Sequence, residues 1–133
     1  MAISLDKMVG FHHKALQIRA DKMEVIAGNL ANANTPGYKA RDINFQQAMA
    51  KANYGQSGMV TTHHNHIEGG KASQFDVQFR IPTQPDTGDG NTVDVQEERN
   101  NFLETGMRYE AGLTLLSGKF SGMKKALSGG GQG

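Results

Sequence analysis

Apolar residues recur at alternating steps of four and three at both ends of the chain. Near the start the series is Leu5, Val9, His12, Leu16, Arg19, Met23, Ile26, Leu30 and Ala33, apolar everywhere except His12 and Arg19. Near the end it is Phe102, Gly106, Tyr109, Leu113, Leu116, Phe120, Met123 and Leu127, where Gly106 alone lacks a substantial apolar side chain. That spacing is the seam of a coiled-coil or bundle helix. The first helix is expected over Leu5–Ala31, roughly 40 Å at ~1.5 Å per residue. The second is expected over 94–127, opened by the cap pair Asp94 and Glu97. The spacing predicts a mainly α fold in which two long terminal helices pair as an antiparallel coiled coil around a small irregular or β insertion.

A second stripe on the first helix, Phe11, Ile18 and Val25 with Met8 and Ala15, lies nearly opposite the first. A helix apolar on two faces needs neighbours on two sides, and other copies or other proteins are expected to supply them. The second helix carries Gly106, Gly112, Gly118 and Gly122. Each costs an isolated helix about 1 kcal/mol relative to Ala, a loss that close approach of another backbone could offset.

The middle differs. Asn44 followed by Gln47 suggests a cap for a short helix over Phe45–Tyr54, and 76–82 alternates Val77, Phe79 and Ile81 before Pro82, as a half-buried strand does. Residues 55–74 read as polar, glycine-rich loop with a strand near 59–62, and 83–91 as a turn-rich loop. The expected division is 1–34 with 94–128 as a helical core unit, 35–93 as the insertion, and 129–133 as a flexible Gly-rich tail.

Composition narrows the function classes. Hydrophobic residues make up 37% of the 133, against a globular norm of roughly 45–50% that also counts Gly, so a large private core is not expected. Net charge is +1, which provides no global field toward nucleic acid or an anionic membrane. Cysteine is absent, excluding thiolate chemistry and disulfides. No cleavable signal pattern and no apolar run of membrane-spanning length are visible.

No constellation favours an enzyme, a cofactor or a metal. His63, His64 and His66 cluster in a polar loop with Glu68 as the sole companion acid, and consecutive histidines converge poorly on an ion. His12, at a seam position, reads as a partly buried, hydrogen-bonded side chain. A calcium-loop count from Asp86 reaches Glu97 at position twelve but finds Gly88, Gly90 and Asn91 at positions three, five and six. The stretch 112–120 has its first glycine one residue too early for a phosphate loop, and Phe120 stands where Ser or Thr is needed. Glu97, Glu98 and Glu104 complement the dipole at a helix start.

Residues 29–38, "NLANANTPGY", carry no charge. Pro36-Gly37 fits the centre of a type II turn, and Thr35, preceding proline, is pushed from the α region. Asn29, Asn32 and Asn34 can bond loose carbonyls at the helix end or hold another segment. Three asparagines suggest a polar joint, made partly with a neighbouring subunit, rather than a bare stop signal.

Asn29, Ala31, Asn32, Thr35, Gly37 and Tyr38 resemble the N-terminal signature of flagellar rod, hook and related axial proteins. The extension "KARDINF" (39–45) and the later "GNTVDVQEER" (90–99) look most like the proximal members of the flagellar basal-body rod protein family. The resemblance implies a structural subunit of the periplasmic rod, exported by the flagellar type III apparatus without signal cleavage. Implied partners are other rod proteins, the rod-base protein FliE, the export apparatus and surrounding ring components. The helix-packing interface is expected to use Leu16, Met23, Ile26, Leu30, Phe102, Tyr109, Leu113, Leu116, Phe120, Met123 and Leu127. The alternative is a soluble coiled-coil adaptor or chaperone-like protein of the same assembly pathway.

Overall fold

The computed structural model describes residues 5–54, 76–85 and 88–129. The histidines at 63, 64 and 66, the strand expected near 59–62 and residues 130–133 lie outside the described residues. In order, the elements are α1 (Leu5–Ala31), β1 (Arg41–Ile43), α2 (Phe45–Tyr54), β2 (Val77–Phe79) and α3 (Val95–Gly129). The two long helices follow from the heptad spacing, and α2 and α3 start where their caps predict. Asn44 Oδ1 accepts from the Gln47 amide at 3.1 Å, and Asp94 Oδ1 accepts from the Gln96 and Glu97 amides at 3.0 and 3.2 Å. Each side chain thereby satisfies donors that a helix start leaves open.

The helices α1 and α3 pack antiparallel: Asn29 meets Glu98, Met23 lies nearest Gly106, Leu16 nearest Gly112, and His12 meets Lys119. A Cβ on Gly112 would stand 2.9 Å from Leu16 Cδ2 and 3.4 Å from Arg19 Nη1. Gly112 therefore lets the two helices approach. Gly118 and Gly122 have nothing of the kind within 4 Å and add no closeness between α1 and α3.

The second apolar face of α1 is covered by its own chain, which corrects the expectation that other molecules must cover it. Ala15 and Ile18 join Ile43, Ala48 and Met49 in one buried cluster, with Val25, Phe45, Ala52 and Val77 packed around it. The chain turns back after residue 38, so α2 lies along α1: Lys14 Nζ donates to the Ala52 carbonyl at 2.6 Å, and Arg19 sits 4.6 Å over the Phe45 ring. The cover is partial, and Phe11 is 48% exposed.

β1 and β2 form an antiparallel pair with Arg41 opposite Phe79 and Ile43 opposite Val77. Nothing in the alternation pattern marks β1, which is only three residues long. The expected half-buried strand is half-buried only at Val77; Phe79 and Ile81 are 72% and 86% exposed. Val77 lies opposite Ile43 and packs on the buried cluster, whereas Phe79 and Ile81 face solvent among the described residues.

Candidate functional site

Where α1 ends, two segments more than fifty residues apart in sequence are tied into one polar joint. The Tyr38 amide donates to the Thr35 carbonyl at 3.2 Å, and Gly37 has φ 72°. That is the turn which Pro36-Gly37 predicts, since only glycine takes that backbone without strain. The segment after it runs alongside 89–92. Gly37 N donates to the Asp89 carbonyl at 2.9 Å, Thr92 N to the Tyr38 carbonyl at 3.0 Å, and Ala40 N to Thr92 Oγ1 at 2.8 Å.

Asn29 is fully buried and acts as a substitute strand residue. Its Nδ2 donates to the Arg41 carbonyl at 2.7 Å, while its Oδ1 accepts from the Arg41 amide at 3.0 Å and from Tyr38 Oη at 3.4 Å. The remaining donor reaches Glu98 Oε2 at 3.1 Å, so every hydrogen-bonding position of the amide is used. Asn91 closes the loose end of α1: its Nδ2 lies 2.9–3.0 Å from the carbonyls of Asn32, Ala33 and Thr35, and its Oδ1 accepts from the Val93 amide at 2.8 Å. Asn32 Nδ2 donates to the Gly28 carbonyl at 2.8 Å, and its Oδ1 accepts from Thr35 Oγ1 at 3.2 Å.

Glu98 has a second role beyond complementing a helix dipole. It is fully buried and ion-paired to Arg80 Nη1, which also lies 3.6 Å from Glu97. Arg80 Nη2 is buried without a hydrogen bond, with Asp42 Oδ2 at 3.5 Å, and Lys22 Nζ reaches Asp42 from α1 at 3.2 Å. The Arg80 amide donates to the Ala40 carbonyl at 2.8 Å. Arg80 therefore ties the hairpin to the start of α3. Sequence reasoning missed Arg80, Glu98 and Asn91 as structural centres. The extended likeness over 90–99 marked the last two without saying what they touch.

The joint gathers Asn29, Asn32 and Tyr38 inward, while Ala31, Asn34, Thr35, Pro36 and Gly37 are exposed. Among the residues expected in helix packing, Leu16 and Ile26 are buried, and Met23, Leu30, Tyr109, Leu116 and Met123 are half-buried. Phe102, Leu113, Phe120 and Leu127 are 39%, 39%, 48% and 85% exposed. The side of α3 turned to α1 instead includes Glu98, Thr105, Gly112 and Lys119. The apolar flank of α3 runs beside that contact line rather than along it. His12 is half-buried, and its Nε2 accepts from Lys119 Nζ at 2.8 Å. Arg19, between the helices, has its pKa lowered by burial and by the charge of Arg108. Among the described residues no group of three potential ligands could hold a metal ion, and no helix is long and apolar enough to cross a membrane.

Residues 11–39 match the family described as "Flagella basal body rod protein". Similar curated proteins are each described as "Flagellar basal body rod protein FlgB". The relative from Aeromonas hydrophila is 49% identical over 130 residues, covering 97% of this chain and 98% of its own. Relatives from Salmonella typhimurium and Escherichia coli K12 are each 38% identical. They cover 95% and 98% of this chain, and 96% and 99% of their own.

Proposed function

The chain belongs to the flagellar basal body rod protein family, and from that premise we propose that it is a structural subunit of the rod, assembling through the open faces of its long helices. The observation that carries the assembly mode is the apolar flank of α3, Phe102, Leu113 and Phe120, which the other described elements leave 39–48% exposed. At about 25 cal/mol per Å², covering even ~500 Å² of such surface would contribute on the order of 12 kcal/mol before ordering costs, enough to couple helix order to neighbours.

Its place is the flagellar basal body, and other rod components are its partners. Beyond that, residues 1–34 with 94–128 would line the inner layer and 35–93 would stand outside it. The exposed turn at Asn34–Gly37 would meet an adjoining subunit. The rod-base protein FliE, the export apparatus and ring components are the finer partners of this reading, with export needing no cleaved signal. The role is mechanical rather than catalytic.

Complementation tests it. In a strain lacking the native chain, the wild type restores swimming, whereas Leu113→Asp and Leu116→Asp do not, although both are still secreted. Normal swimming with both variants would overturn the packing role. A discrete small complex with one partner on size exclusion, instead of an extended polymer, would favour the adaptor reading.

A further inference from the structure

At the open end of the helix pair a polar contact crosses the seam, from Lys119 of α3 to His12 of α1. Lys119 Nζ lies 2.8 Å from His12 Nε2. An ammonium only donates, so Nε2 accepts, and the ring is neutral with its proton on Nδ1. Both side chains are half-buried, and the Phe11 ring stands edge-on to the imidazole with centroids 5.6 Å apart. Little else fastens this half of the pair. No residue of α3 after Thr105 is buried, and Gly118 and Gly122 bring no other group close.

The charges around His12 are almost all positive. On α1 its neighbours are Lys7, His13 and Lys14, with Asp6 the sole acid among described residues 5–16. On α3, residues 112–129 carry Lys119, Lys124 and Lys125 and no acid. On the far side of α1, Lys51 is the one charged residue of α2, and it pairs with Asp76. Toward the joint the next charges are Arg19 on α1 and Arg108 with Glu110 on α3. Glu110 stands nine positions before Lys119, about 13 Å along the helix, too far to bond a charged imidazole.

We propose that this contact is a pH-sensitive clasp. With the imidazole neutral it holds residues 5–16 against 112–129. When His12 takes up a proton the acceptor disappears and two cations face each other, so this half of the pair opens. Histidine side chains change charge between about pH 5 and 8. The clasp is whole on the alkaline side of that range and is lost as pH falls through it. The joint stays closed, because Asn29 and Asn91, which bond across it, have no titrating atom. Acid therefore opens the chain from one end.

Amide hydrogen exchange on the full chain tests the clasp, with rates corrected for the intrinsic effect of pH. From about pH 7.5 to about pH 5.5, protection over 112–129 falls about fivefold, the size of a unit-charge repulsion near 4 Å in a water-like medium. Protection over 95–105 is unchanged. His12→Gln keeps an acceptor for Lys119 and does not titrate, so its protection is the same at both pH values. Lys119→Met removes the facing cation and cuts the fall to about twofold or less. His13→Gln, at the exposed neighbouring position, keeps the wild-type fall. Circular dichroism at the higher pH shows that each variant is folded. Nitrogen chemical shifts of neutral His12 report the Nδ1–H tautomer. The proposal is overturned by a wild-type fall under about twofold, by unprotected 112–129 at both pH values, or by an equal fall over 95–105. It is overturned as well if His12→Gln keeps the fall, if His13→Gln abolishes it, or if neutral His12 carries its proton on Nε2. The clasp lies within one chain, so none of these results bears on the rod-subunit reading, which complementation decides.

Discussion

The two ends of the helix pair are built on opposite plans. At the joint, α1 turns into the hairpin and α3 begins, and polar groups are buried and matched: Asn29, Asn91 and Glu98 are all 7% exposed or less. At the other end, helices of 27 and 35 residues lie side by side with large apolar side chains in solvent and one described acid among the lysines. Buried polar networks have a narrow set of satisfactory geometries, so the joint specifies the antiparallel register. The open end has apolar surface in excess of what one partner helix covers. One end is finished within the chain, and the other is arranged for company.

The contrast breaks most readily at Glu98. Truncation to Ala strands Arg80 among buried groups and should cost about 3–5 kcal/mol, read as a fall in the denaturation midpoint. A loss below about 1 kcal/mol would mean that the joint is not the anchor. Next is Asn29→Leu, which leaves the Arg41 amide and carbonyl unpaired at about 1–3 kcal/mol for each buried group. Amide exchange at Arg41 should quicken sharply while residues 112–129 are unaffected. Gly37→Ala should cost about 1–2 kcal/mol, the strain of a Cβ at positive φ, with space no obstacle because nothing lies within 4 Å.

On the open end the effects on the dilute chain should be small. Phe120→Ser should change its stability by no more than about 0.5 kcal/mol while impairing assembly. A large loss of monomer stability would show that Phe120 is bound within the chain. The smallest effect concerns pH. Burial first, and the charge of Glu24 second, hold the Asp21 pKa above its ordinary value. A folded-state pKa above the unfolded one favours the native state at low pH, and that advantage is lost as pH rises through the folded value. Asp21→Asn should therefore stabilise slightly at neutral pH, by no more than about 0.5 kcal/mol. The gain should vanish when the carboxyl is protonated in both states, so a gain that persists in acid would refute the cause.

Local signals were legible in the sequence. The heptad steps marked both long helices, Asn44 and Asp94 marked helix starts, and Pro36-Gly37 marked the turn, because each acts within a few residues of itself. The residues 29–38 were recognisable as a polar joint, yet which groups they bond was not. Asn29 is completed by Arg41 and by Glu98, sixty-nine positions away, and no local pattern carries a pairing over that distance. β1 escaped notice because three residues contain too little alternation to register.

The sequence by itself determined the two-helix plan, the capped starts, the turn and the surplus of apolar surface, since periodicity and backbone preference are local properties. Tertiary structure alone decided which surplus stays open. It laid α2 and the hairpin over the second face of α1, and it turned Glu98, Thr105 and Gly112 of α3 toward α1, leaving Phe102, Leu113 and Phe120 beside the contact line. The reason is geometric. A heptad stripe states which residues share a side of a helix, whereas the rotation of that side toward a neighbour depends on close approach and on buried polar pairing, here Gly112 against Leu16 and Glu98 between Asn29 and Arg80.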